Sequence, residues 1–342
     1  MKYLVTGSAG FIGFHVCRTL LRAGHEVVGF DSVNNYYRQD LKEERLTILE
    51  AEGANAPGRF RFFRGLLEDS DLLATAFACG PFSAVIHLAA QAGVRYSTTH
   101  PQAYLSSNLE GFLSILELCR TFSVPHLAFA SSSSVYGLNR TVPFSENHST
   151  DHTVSLYAAT KKANEVMAHT YSHLYGIPAT GMRFFTVYGP YGRPDMAYFK
   201  FADAIMRGET IDIYNNGDLL RDFTYIDDVV RAIIMIADRP AQPDALFDPN
   251  NPLPASSSAP FTLYNIGNAA PEPLELFIDY LENLLGKKAI KRYLPMQAGD
   301  VYMTAADTSR LEKDFSWKPH TPLAEGLASF TDWYKERKPW LQ

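Results

Sequence analysis

Short, almost continuous apolar runs recur along the first half of the chain, at residues 3–6, 26–30, 60–63, 84–88, 126–130 and 178–183. Runs of this length without alternation mark strands covered on both faces, where neither side meets water. Between them, residues 11–23, 72–78, 102–121 and 156–175 carry apolar positions at helical spacing. Strand and helix in alternation predict an α/β fold, a doubly wound parallel sheet with helices on both faces.

The pattern changes after about residue 190. Segments shorten and prolines become frequent. Residues 240–260 are rich in proline and include Ser256-Ser257-Ser258, which reads as a surface loop. Two later helical stretches, 226–237 and 274–285, can pack on either part. The expected division is a first domain over 1–190, rejoined by about 226–262, and a smaller, partly interleaved α/β lobe over 191–342. A length of 342 residues suits two such units, at about 150 residues each.

Composition narrows the function classes. Hydrophobic residues make up 46% and charged residues 20%, which excludes disorder. Lys and Arg number 31 against 37 Asp and Glu, a net charge of −6 with no long basic run. No nucleic-acid partner is expected, although a small basic pocket for an anion fits. No window approaches the ~18 uninterrupted apolar residues of a membrane span. Lys2 leads straight into Tyr3-Leu4-Val5, so no secretory leader is expected. Cys17, Cys79 and Cys119 lie far apart among apolar neighbours. They read as buried free thiols in a thiol-keeping, cytoplasmic setting. No metal is expected.

The first candidate chemistry is Thr6-Gly7-Ser8-Ala9-Gly10-Phe11-Ile12-Gly13, between the first strand and the first helix. Gly7 permits the tight turn, Gly10 lets backbone N–H groups approach a pyrophosphate, and Gly13 brings helix and sheet together. Asp31 closes the second strand eighteen residues after Gly13. A carboxylate there accepts from ribose hydroxyls and repels a 2′-phosphate, so the expected cofactor is NAD on a Rossmann-type fold.

Tyr157 and Lys161 are four apart on one helical face. A free phenol, with a pKa of about 10, is a poor base near neutrality. A neighbouring ammonium favours the phenolate, so Lys161 is expected to lower it while holding the nicotinamide ribose. Ala130-Ser131-Ser132-Ser133-Ser134-Val135-Tyr136-Gly137 follows a predicted parallel strand. Ligands of open α/β sheets bind beyond such strand ends, where these hydroxyls can meet a sugar.

Glycine loop, serine strand end and Tyr-x-x-x-Lys in this order resemble the extended short-chain dehydrogenase/reductase superfamily. Longer motifs resemble its UDP-glucuronate 4-epimerases over essentially the whole chain. They are His87-Leu88-Ala89-Ala90-Gln91-Ala92-Gly93-Val94-Arg95-Tyr96-Ser97, residues 183–197 around Tyr188-Gly189-Pro190-Tyr191-Gly192-Arg193, Tyr264-Asn265-Ile266-Gly267-Asn268, Leu294-Pro295-Met296-Gln297-Ala298-Gly299-Asp300, and Phe330-Thr331-Asp332-Trp333-Tyr334. The resemblance implies that Tyr157, Lys161 and Ser132 are catalytic. It implies NAD held by Gly7, Gly10, Phe11, Ile12, Gly13, Asp31, Asn34, Leu88, Ala89, Ala90, Gln91, Tyr157 and Lys161. It implies a UDP-hexuronate held by Arg95, Ser132, Ser133, Ser134, Thr186, Arg193, Lys200, Arg221 and Asp300, with the second lobe binding the nucleotide sugar. Ser133, Ser134, Thr186 and Arg193 would hold the C6 carboxylate, since Arg can grip a carboxylate bidentately. A homodimer through helices 102–121 and 155–175 is implied as well.

One departure concerns the adenine end. The superfamily often carries an acidic residue after the third strand, where Arg64-Gly65-Leu66-Leu67-Glu68-Asp69 places Leu66. Backbone groups, Glu68 or Asp69 are the remaining candidates. The rival activities are UDP-glucuronate decarboxylase and nucleotide-sugar 4,6-dehydratase. Both usually place an acid beside the catalytic hydroxyl, where Ser131 to Ser134 offer hydroxyls only. A UDP-galactose-type 4-epimerase would not need Arg193, and a non-catalytic NAD sensor would not need Ser132, Tyr157 and Lys161 together.

Overall fold

The strands run in chain order as β1 (Lys2–Thr6), β2 (Glu26–Asp31), β3 (Arg59–Arg64), β4 (Ala84–His87), β5 (Leu127–Ser132), β6 (Ala179–Phe184), β7 (Thr186–Tyr188), β8 (Thr210–Ile213), β9 (Leu220–Tyr225), β10 (Phe261–Ile266), β11 (Pro271–Pro273) and β12 (Ile290–Tyr293) in a computed structural model that describes residues 1–55, 57–296 and 302–337. Seven of them form one sheet in the order β10-β6-β5-β4-β1-β2-β3, every neighbouring pair parallel. The predicted doubly wound α/β sheet is therefore present. The order reverses between β1 and β4, and ligands of such sheets bind beyond the strand ends at that switch point.

Side chains alternate across each strand, and both faces of the sheet are dry. Tyr3, Val5, Ile86 and Ala128 point to one side, against Phe14, Cys17 and Leu20 of the helix Phe11–Arg22 and Val229, Ile233 and Ile236 of the helix Ile226–Ala237. Leu4, Val28, Val85, Leu127 and Phe129 point to the other, against Phe77 and Phe112, Ile115, Leu116 and Cys119 of the helix Gly111–Thr121. Each buried Val, Leu, Ile or Phe among these contributes roughly 1.5–3 kcal/mol. A third core joins Tyr198, Phe199, Ile211, Phe223, Phe277, Ile278, Leu281 and Phe330 beneath two small sheets, β11-β9-β7 and β12-β8.

Four features differ from the sequence pattern. The helix Gln39–Asn55 had no apolar stripe to announce it, because its inward face includes Lys42 and Arg45 beside Leu41, Leu46 and Leu49. The stretch expected as one helix over 102–121 is divided into Pro101–Tyr104, a π-helical Leu105–Glu110 and Gly111–Thr121. The main sheet gains β10, from beyond the proline-rich loop. Cys17 and Cys119 are buried free thiols as expected, whereas Cys79, at a helix end, is only half-buried. Among the described residues no helix is long and apolar enough to cross a membrane.

Candidate active site

A cleft of about 1270 Å³ opens along the carboxyl ends of the main-sheet strands. Its first end is the turn after β1. Gly7 takes φ +73°, and a Cβ there would lie 2.7 Å from Ala89 N. A Cβ on Gly13 would lie 2.0 Å from Gly7 O, so only glycine lets helix and turn meet. Asp31, at the tip of β2, steadies the turn: Oδ2 accepts from Ala9 N at 3.1 Å and Oδ1 from Val33 N at 2.8 Å. Asn34 Oδ1 accepts from Lys42 Nζ at 2.7 Å. Gly7, Gly10, Phe11, Ile12, Gly13, Asp31 and Asn34 all line the cleft, as do Leu88, Ala89, Ala90 and Gln91 after β4.

The opposite wall belongs to β5 and the helix Leu156–Tyr175, whose N-cap Ser155 accepts from Ala158 N at 3.1 Å. Ser132 Oγ accepts from Ser134 N at 3.2 Å and is a hydrogen-bond partner of the Tyr157 hydroxyl. Burial holds the Tyr157 pKa above its ordinary value, with the Ser132 hydrogen bond and the Arg193 charge offsetting only part of that rise. Burial lowers Lys161 from 10.5 to about 8, and its Nζ donates to Ala130 O at 2.9 Å. Asn108, on the π-helical turn, joins the two walls. It accepts from Gln91 N at 2.8 Å and donates to Gln91 O at 3.1 Å and Thr160 Oγ1 at 3.0 Å. π-helical turns often mark functional sites, but sequence spacing does not reveal them.

The far end holds Arg95, Ser133, Ser134, Thr186, Arg193 and Lys200, all on the cleft wall. The Arg193 guanidinium is paired with Asp195, Nε to Oδ1 at 3.0 Å and Nη2 to Oδ2 at 2.6 Å. Its loop is held from behind by the buried Arg45, whose Nη2 donates to Tyr191 O at 2.7 Å while Nη1 donates to Ala9 O at 2.8 Å. Arg221 stands off the wall, donating through Nη1 to Leu220 O at 2.9 Å and Tyr302 O at 3.0 Å. Asp300 lies outside the described residues. Tyr36, Lys42, Tyr96, Asp195 and Tyr214 also line the cleft without having been singled out from sequence. Tyr96 and Asp195 lie inside the motifs noted from sequence, and the tyrosine pair Tyr36-Tyr37 just after Asp31 is the remaining sequence signal.

The NAD dependent epimerase/dehydratase family model matches residues 3–247. This chain belongs to that family. Staphylococcus aureus protein CapI is 50% identical over 336 residues, 98% of this chain and 99% of its own length. A protein of Rhizobium meliloti described as a probable UDP-glucuronate 4-epimerase is 46% identical over 337 residues, 98% of this chain and 97% of its own. The crystal structure of a Bacillus cereus UDP-glucuronic acid 4-epimerase with UDP-glucuronic acid and NAD matches at a TM-score of 0.84 and 32% identity, covering 98% of this chain and 99% of that one. The epimerase/dehydratase resemblance drawn from sequence is therefore borne out.

The residues present suit the family's NAD. The first helix, Phe11–Arg22, starts on N-cap Gly10, whose lack of a side chain leaves its first N–H groups uncapped, and it packs on the Gly7 turn only because Gly13 has no Cβ. At the adenine end, Gly65, Leu66 and Leu67 reach the wall and Glu68 and Asp69 do not. Asp69 instead caps the helix Ser70–Phe77, accepting from Leu72 N at 3.1 Å.

Proposed function

We propose that the protein interconverts UDP-glucuronate and UDP-galacturonate by epimerisation at C4 through a 4-keto sugar. The observation that carries this is one cleft in which Tyr157 and Ser132 stand between a dinucleotide cradle and a carboxylate-binding set, Ser133, Ser134, Thr186 and Arg193. Gly7, Gly10, Phe11, Ile12, Gly13, Asp31, Asn34 and the stretch from Leu88 to Gln91 would hold NAD, with Lys161 on its nicotinamide ribose. Bound NAD supplies the acceptor and later the donor of hydride.

Tyr157 takes the O4 proton as C4 gives up its hydride, helped by the Ser132 hydroxyl. The 4-keto sugar turns its other face, and Tyr157 returns the proton to O4 as hydride re-enters at C4. The chemistry closes without net oxidation. A 4-keto hexuronate is a β-keto acid that loses CO2 when its C5–C6 bond aligns with the ketone π-system. Fixed donors around the carboxylate oppose that alignment, so the carboxylate set protects the product as well as binding the substrate. Arg95 and Lys200 supply positive charge for the diphosphate side. Arg221 and Asp300 are assigned to the nucleotide by resemblance alone.

We divide the chain as 1–190 with about 226–262 for NAD and 191–342 for the nucleotide sugar, in keeping with the main sheet and the third core. A homodimer through 102–121 and 155–175 is supported by the exposed apolar residues Leu105, Leu113, Val166, Leu174 and Tyr175 on those stretches. A cytoplasmic location agrees with the free thiols. The test of function is incubation with UDP-glucuronate alone, followed by NMR of the products. UDP-galacturonate is expected. UDP-pentose would place the protein with the decarboxylases; a 4-keto-6-deoxy product from a parallel incubation with a UDP-hexose, whose C6 hydroxyl can leave as water, would place it with the dehydratases.

A further inference from the structure

The charged head of Arg193 is built into a closed group of three side chains. Asp195 takes the Nε–Nη2 edge of the guanidinium through both of its oxygens, at 3.0 and 2.6 Å. The Tyr36 hydroxyl donates to Asp195 Oδ2 at 3.1 Å and is itself in hydrogen-bond contact with Arg193. The guanidinium carbon lies 5.7 Å from the centre of the Tyr36 ring. Tyr36 in turn is wedged, edge-on to Tyr96 at 4.9 Å between ring centres and against Gly93, where a Cβ would come within 2.3 Å of its hydroxyl. All three members line the cleft.

An arginine side chain with this much rotational freedom would otherwise sample many orientations, and a bidentate carboxylate clamp fixes the plane of its fork. The side-on edge is spent on Asp195, so an incoming carboxylate is received on the remaining Nη1–Nη2 edge. We infer that Asp195, steadied by Tyr36, is a positioning residue that fixes the guanidinium plane of Arg193 and thereby sets the orientation of the substrate C6 carboxylate. This rests on the carboxylate-binding role proposed for Arg193. Its consequence is chemical. With Arg193 free to move, the carboxylate shifts with it, the ring pucker at C5 relaxes, and the C5–C6 bond of the 4-keto sugar swings into line with the ketone π-system, where it breaks. The bond's electron pair then enters the C4 ketone, CO2 leaves, C5 takes a proton from water, and hydride return at C4 yields UDP-pentose.

The experiment compares wild type, Asp195→Asn, Tyr36→Phe and Arg193→Ala as purified holoenzymes. It measures NAD content, kcat and KM for UDP-glucuronate, and UDP-pentose by mass spectrometry. Asp195→Asn is expected to raise KM and the pentose fraction each on the order of tenfold, as loss of a charged hydrogen-bond partner does, at wild-type NAD content. Tyr36→Phe keeps the ring and removes only the hydroxyl, so a smaller shift in the same direction is expected; it also serves if Asp195→Asn does not fold. Wild-type KM and pentose fraction in both variants, while Arg193→Ala changes both quantities, would overturn the inference and leave the Arg193 role standing. If Arg193→Ala changes neither quantity, the carboxylate role itself fails and the inference with it.

Discussion

Ser131 donates its hydroxyl to Glu165 Oε1 across 2.6 Å, and the same oxygen receives Arg183 Nε at 2.8 Å. The pair is sealed: the Arg183 side chain is 0% exposed and that of Glu165 3%. Arg183 Nη2 donates to Glu165 Oε2 at 2.9 Å, and Nη1 reaches the Tyr136 hydroxyl at 3.1 Å. The serine strand end is thus anchored from behind by a buried ion pair, and Glu165 is not free for proton transfer in the cleft.

Glu165→Ala should therefore destabilise the fold strongly, by about 3–5 kcal/mol, because Arg183 is left as an unpaired buried charge. A double variant, Glu165→Leu with Arg183→Met, should recover much of the loss. Urea denaturation of the three proteins checks this; a loss below ~1 kcal/mol in the single variant would mean that water reaches Arg183.

Tyr157→Phe should lower epimerisation about 10²–10⁴-fold, the usual contribution of a general acid–base group. NAD content should stay near wild type, since the ribose is assigned to Lys161. Activity within a few-fold of wild type would move the proton transfer to another group.

The protein should come out of purification carrying NAD(H), because hydride leaves and returns within one turnover. Release by denaturation and enzymatic assay measures it. Bare protein, active only with NADP, would contradict the placing of Asp31 at the ribose.

Arg193→Ala should cost UDP-glucuronate turnover orders of magnitude and any UDP-glucose turnover much less, since a broken buried charge pair costs about 3–5 kcal/mol. Both substrates are compared under identical conditions. Equal losses would make Arg193 a structural or pyrophosphate residue.

Lys161 gives a signed pH effect. Its folded pKa, about 8, lies below its ordinary 10.5. Between those values the unfolded chain holds a proton that the folded chain does not, so this group makes folding more favourable as pH rises through that window. Below about 8 its penalty is fully present. In nucleotide-free protein, Lys161→Met should lose this slope, and its stability relative to wild type should be greatest near pH 7 and shrink by pH 9.5. Parallel pH profiles would show Lys161 to be well solvated.

What was legible in the sequence is what repeats or punctuates locally. The dry strands from Tyr3 to Arg183, the glycine turn and the Tyr157–Lys161 spacing all announce themselves over a few residues. The helix Gln39–Asn55 did not, because the inward Lys42 and Arg45 interrupt its apolar face, and Arg45 serves two backbone loops that are far apart in sequence. The Arg193–Asp195 pair is two residues apart and still escaped notice, since its meaning depends on Tyr36 arriving from the other side of the cleft. Long-range partnership of that kind leaves no periodicity to read.

The place of β10 has a consequence for synthesis. Its pairing with β6 completes the main sheet, yet it is made from residues 261–266, after the strands β7, β8 and β9 of the small sheets. A nascent chain that has released β1 to β6 still has an open hydrogen-bonding edge along Ala179–Phe184, and nothing cut before residue 266 can close it. Domains that fold during translation do so as their last element emerges. Here that moment comes late, yet Phe277, Ile278, Leu281 and Phe330 of the third core are still to follow, so the main sheet can close before the smaller sheets have the core that supports them.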